Sequence, residues 1–127
     1  MNFNPQFYDH EVVQKAPQDY VEITVSPQHI LKCWQSSMFA CEMLDKKGEI
    51  KEQGDMSPDN LKRYLDCLEM IKRSEETPKP ILGYGIMDNI EIGVGREIVL
   101  AARTLELKEM PVHIRKAQAD DIAKILK

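Results

Sequence analysis

Two Ser-Pro pairs, Ser26-Pro27 and Ser57-Pro58, each stand directly before apolar residues at helical spacing. A serine oxygen accepts an orphan N–H at a helix start and proline has no N–H to lose there, so each pair marks a helix N-terminus. After the first, Ile30, Trp34, Met38 and Cys41 recur at spacings of four, four and three, which predicts one apolar helix face over about 27–47, stopped by Gly48. After the second, Leu61, Tyr64, Leu65, Leu68 and Ile71 form a cleaner stripe over 58–73. Ahead of both, Val21-Glu22-Ile23-Thr24-Val25 alternates β-branched and polar residues, the pattern of a half-buried strand.

The remaining segments complete a mixed architecture. Residues 1–19 carry Pro5 and Pro17 without a sustained period and are expected to form a loosely ordered arm that Phe3, Phe7 and Tyr8 pin to a surface. The charged stretch 46–56, with Gly48 and Gly54, suits an exposed connection. Beyond Pro78 and Pro80, the run to Gly85 and the run Ile90-Glu91-Ile92 flank Asp88-Asn89 as a hairpin. A helix over about 96–106 follows, with Ile98, Ala101, Ala102 and Leu105 on one face, then a strand at Pro111-Val112-His113-Ile114 and a short helix near 120–126. The fold class is therefore α/β, of the α+β kind: residues 20–127 as one domain, a small mixed sheet packed by three main helices.

Composition bounds the functions such a domain can have. With 127 residues, 17 basic and 21 acidic side chains, the net charge is −4, which argues against autonomous sequence-specific DNA binding, since affinity for phosphate backbones comes mainly from Lys and Arg. The charge is uneven: residues 1–95 hold 10 basic and 16 acidic groups (net −6), and residues 96–127 hold 7 and 5 (net +2), so any anion affinity belongs to the last third. No run of apolar residues is long enough to span a bilayer, and Met1-Asn2-Phe3-Asn4-Pro5 lacks the basic start and apolar run of a secretory signal, which predicts a cytoplasmic protein without a membrane partner. Cys33, Cys41 and Cys67 are read as free buried thiols. His29, four residues before Cys33, is the only histidine at a ligand spacing from a cysteine, and the sequence places no further ligands to complete a metal site.

The sharpest local feature is a strand, then Gly93-Val94-Gly95-Arg96, then a helix. Glycines allow a tight entry into a helix whose first N–H groups and positive dipole end attract an anion, and Arg96 adds a bidentate grip. The same glycines also serve wherever a strand packs closely on the next helix, and spacing leaves both readings open. Tyr84, between Gly83 and Gly85, is either a ring that stacks on a ligand base or an exposed tyrosine of an edge strand.

The stretch from Gly95 to Ile114 resembles the core box of the ParB/sulfiredoxin superfamily: a glycine, an alanine pair six and seven residues later at Ala101-Ala102, Leu107, and Pro111-Val112. The match covers about residues 80–115 and implies a nucleotide- or phosphate-binding regulatory protein of plasmid or phage type. By that resemblance, Gly93, Gly95 and Arg96 hold the phosphates of CTP or ATP and Tyr84 contacts the base. Arg96 stands where sulfiredoxins carry the reactive cysteine, and Ile98 where partition proteins carry a phosphate-binding arginine. These departures lean against catalysis and define the alternative expectation, a non-catalytic protein-interaction or inhibitor protein with a degenerate ligand site and a protein partner.

Overall fold

A computed structural model describes residues 3–126; Met1 and Asn2 of the expected arm, and Lys127 of the expected domain, lie outside the described residues. In chain order the elements are β1 (Gln6–Tyr8), α1 (Glu11–Lys15), β2 (Tyr20–Val25), α2 (Pro27–Trp34), α3 (Pro58–Lys72), β3 (Glu76–Pro78), β4 (Ile81–Tyr84), β5 (Ile90–Val94), α4 (Arg96–Thr104), β6 (Met110–Arg115) and α5 (Ala119–Ile125). Both Ser-Pro pairs act as read: the Ser26 hydroxyl accepts from the His29 N–H at 3.0 Å and the Ser57 hydroxyl from the Asn60 N–H at 3.3 Å. No helix among the described residues is long and apolar enough to cross a membrane.

The first helix differs from the expectation over 27–47. It ends at Trp34, because Ser37 turns its hydroxyl to the Glu91 carboxylate and also accepts from the Phe39 N–H at 3.1 Å, so the chain trades helical bonds for local ones. Met38 and Cys41, expected on the buried stripe, face water, and Ala40, Met43 and Leu44 enter the core instead. Part of the expected connection 46–56 is also structured: Leu44 and Ile50 form an antiparallel bridge, and Met56 is buried.

A four-stranded mixed sheet runs in the order β2-β6-β4-β5, with β6 and β4 parallel and the outer pairs antiparallel. Alternation sends Met110, Val112 and Ile114 of β6, Leu82 of β4, and Ile90 and Ile92 of β5 to one face, where they join the core with Trp34 of α2, Tyr64, Leu68 and Ile71 of α3, and five consecutive residues of α4, Ile98–Ala102. Each of the fully buried large aliphatics, such as Ile30, Leu82 and Leu100, contributes about 1.5–3 kcal/mol by leaving water. The pairing steps from Ile81↔Val94 to Leu82↔Ile92, so Gly93 is the extra residue of a bulge. That bulge turns Val94 to the opposite face and aims the chain into α4.

Part of the opposite face of the sheet is covered by the segment expected to be loose. β1 pairs in parallel with β3 in the register Gln6↔Glu76 to Tyr8↔Pro78, and α1 buries Val13 against Tyr20 and Ile81. Within the arm, Gln6–Tyr8 is thus a strand and Glu11–Lys15 a helix; α1 covers part of the sheet's opposite face, while Phe3 and Phe7 pack against the main core. The pairing of β1 depends on partners about 70 residues away, which no period within 1–19 can report.

Candidate functional site

Three of the four residues expected at a nucleotide site, two for the phosphates and Tyr84 for the base, line one cleft. Tyr84, Gly93 and Arg96 line an open hollow of about 730 Å³ together with residues 36–39 after α2, residues 85–87 of the hairpin loop, and Glu91 and Ile92 of β5. The hairpin loop is held by a bond from the Gly85 N–H to the Asn89 carbonyl at 2.7 Å and by the Asn89 amide, which donates to the Ile90 carbonyl at 2.8 Å. Tyr84 donates its hydroxyl to Asp88, and that bond, with some desolvation, raises the phenol's pKa.

The fourth residue, Gly95, has a packing role. It sits at the N-cap of α4 with φ 90°, and a Cβ there would lie 3.0 Å from the Pro80 side chain. The left-handed backbone and the close approach to Pro80 account for a glycine at this position.

The charged side chains in the first turn of α4 are both ion-paired. Arg96 is committed to Glu42 at 3.1 Å, and Glu97, in the first turn of α4, pairs with Arg63 at 3.2 Å. Glu91 adds a carboxylate to the cleft wall, accepting hydrogen bonds from the Ser37 hydroxyl and from the Asn89 amide at 3.1 Å. Among the described residues no cation lies within ion-pair distance of Glu91. The surrounding side chains are apolar: Met38, Phe39, Ile86 and Met87 are all exposed, Ile86 at 97%.

A second polar cluster escaped the sequence reading, because its members come from four separate segments. Lys79, 14% exposed, donates to Asp9 at 2.7 Å and to Glu22, while His113 Nε2 lies 3.9 Å from Asp9 Oδ1 and its buried Nδ1 has no partner among the described residues. Asp9, Glu22 and His113 place three ligand atoms within 4.8 Å of one another, but the Lys79 ammonium already fills the cation position between the carboxylates. The cluster is an electrostatic staple that ties the N-terminal layer to β2 and β6.

The Lys79 hydrogen bond lowers the Asp9 pKa; burial pulls the Lys79 pKa down, but hydrogen bonds to Asp9 and Glu22 outweigh it and the net shift is upward. The Asp9 contribution is therefore complete above its unfolded value of about 3.9 and is lost as pH falls through the lower folded value. The Lys79 contribution is complete below about 10.4 and is lost as pH rises through the higher folded value. Lys79→Met is expected to cost about 1–2 kcal/mol near neutral pH, since the ammonium is mostly buried and its carboxylates are half-exposed. Urea midpoints of both proteins across pH check this, and a difference that does not shrink at the two pH extremes would count against the staple.

None of the three cysteines is among the residues that line the cleft. Burial, then the neighbouring Glu97 and Asp66, push the Cys67 thiol up to about 12, and burial also raises Cys33. Cys41 is exposed and Cys33 and Cys67 are half-buried, so the expectation of three buried thiols holds only in part. His29 and Cys33 do share a helical face, at 4.0 Å, and both reach the end of α5: His29 Nε2 lies 2.8 Å from the Leu126 carbonyl and Cys33 donates to the Ile125 carbonyl at 3.8 Å.

Comparison of the chain with protein-family models, curated proteins and solved structures finds no match.

Proposed function

We propose that the protein is a non-catalytic interaction protein that docks an apolar segment of a partner protein in the cleft between residues 36–39 and 84–87. One observation carries this reading: of eight large hydrophobic side chains exposed among the described residues, Met38, Phe39, Tyr84, Ile86 and Met87 all line that cleft. Scattered exposed apolar residues are ordinary, but a contiguous apolar hollow on a soluble surface marks an interaction site. The composition fits as well, since methionine and aromatic residues are favoured at interface cores and unbranched methionine adapts its shape to a partner.

On this reading the glycine-to-helix box that resembles the ParB/sulfiredoxin superfamily serves as a scaffold. The bulge at Gly93 and the left-handed Gly95 set the angle between β5 and α4, which opens the cleft. A nucleotide phosphate entering there would meet Glu91 and would have to displace Glu42 from Arg96, at a cost a neutral or cationic partner does not incur.

The test is a photo-crosslinking residue at position 86, introduced into the full chain in its native host. Position 86 is expected to give one discrete protein adduct that Met38→Asp suppresses at least tenfold, while the same crosslinker at Leu65 on α3 gives none. Nucleotide titration is run alongside: saturable binding of ATP, CTP or GTP that Arg96→Ala weakens, with no adduct at position 86, would overturn the proposal in favour of a phosphate ligand.

A further inference from the structure

We infer that the partner enters the cleft as an extended strand that adds to β5, with a lysine or arginine of that strand set against Glu91. The inference rests on the docking reading above and specifies its occupant.

β5 is the last strand of the sheet, so among the described residues one of its edges has no ladder partner. The bond from the Gly85 N–H to the Asn89 carbonyl makes that pair a hydrogen-bonded one, and strict antiparallel alternation makes Gly83 and Glu91 the next. The peptide groups of Ile90 and Ile92 therefore point away from β4. The Ile90 carbonyl is taken by the Asn89 side chain, which leaves the Ile90 N–H and both peptide groups of Ile92 open to a partner strand. Ile92 lines the cleft although its side chain is buried in the core at 7% exposure, and the adjoining Gly93 has no side chain, so the wall they present is backbone. A cleft walled by unpaired strand backbone and flanked by apolar side chains suits a partner strand, whose main chain supplies the hydrogen bonds and whose alternate side chains fill the apolar flanks.

Charge selects the partner's polar residue. Glu91 is held in place by Ser37 and Asn89, both neutral, and the neighbouring Arg96 is already neutralised by Glu42. The uncompensated charge of the cleft is therefore negative, and a cation on the partner complements it. A second copy of this chain pairing through the same edge would bring two Glu91 carboxylates onto one short ladder, with a net charge of −4 on each molecule, which disfavours self-association through β5.

The probe is a random dodecapeptide library displayed against the full chain, counter-selected with the Met38→Asp/Ile86→Asp variant so that only cleft binders survive. Enriched peptides are expected to show alternating apolar residues and Lys or Arg at one fixed position. N-methylation of alternate amides in the best binder is expected to weaken it at least tenfold, and selection on Glu91→Gln is expected to lose the basic preference while its melting temperature stays near that of the parent. Cleft-dependent binders with apolar residues at helical spacing, with no basic position, or indifferent to N-methylation would overturn the strand inference and leave the docking reading standing. A library that yields no cleft-dependent binder would sink both.

Discussion

Trp34→Ala is expected to remove about 3–5 kcal/mol of stability, read as a fall in the urea midpoint at unchanged slope. Trp34 closes α2, is 1% exposed and is the largest of the fully buried side chains, so alanine leaves a cavity that the surrounding elements cannot fill without moving. Against a typical total of about 5–15 kcal/mol, that loss is a large share of the whole. The indole N–H sharpens the expectation, because it is buried with no hydrogen-bond partner among the described residues. An unpaired buried donor costs about 1–3 kcal/mol, so Trp34→Phe, which deletes it while keeping most of the ring volume, is expected to change stability by no more than about 1.5 kcal/mol. A phenylalanine variant as unstable as the alanine one would mean that packing of the full indole outweighs the relief of the unpaired donor.

The second large effect is expected at Gly95. A non-glycine residue in the left-handed region pays about 1–2 kcal/mol for its Cβ, and here that atom would also lie 3.0 Å from Pro80 Cβ and 3.1 Å from Pro80 Cα. Pro80 has little room to yield, because its carbonyl accepts the His113 N–H at 2.9 Å and so ties it to β6. Gly95→Ala is therefore expected to cost about 2–3 kcal/mol, adding the contact to the backbone strain. Gly54→Ala is the matched control: nothing lies within 4 Å of an added Cβ and its backbone is not left-handed, so thermal melting should be nearly unchanged. Equal melting temperatures for the two variants would show that the β5–α4 corner relaxes freely.

What could be read in the sequence was what the chain decides locally. Ser26-Pro27 and Ser57-Pro58 start their helices through bonds that reach three residues, and the strand from Val21 to Val25 shows its alternation in five. Tyr84, Gly93 and Arg96 could be grouped because hairpin, bulge and helix follow one another directly along the chain. Their chemistry could not be read the same way, since Arg96 is neutralised by Glu42, 54 residues earlier, and Glu91 is bonded by Ser37 across the same distance. The end of α2 was missed for that reason: Met38 and Cys41 continue the helical period, while the bond from Ser37 to the remote Glu91 carboxylate leaves no trace in the local pattern. The Lys79 staple has no sequence signature at all, because Asp9, Glu22, Lys79 and His113 converge only after the sheet has formed.

The pairing of β2 with β6, from Tyr20↔Arg115 to Val25↔Met110, has a consequence for the nascent protein. At synthesis rates of ~5–20 residues per second, β2 leaves the ribosome seconds before its only ladder partner exists. In that interval it is a β-branched segment with both edges open, the kind of strand that recruits neighbouring chains. Glu22 and Thr24 interrupt Val21, Ile23 and Val25 at every second position, and Glu22 carries a charge that repels like strands. The residue that later anchors the N-terminal layer thus first serves as a guard against aggregation.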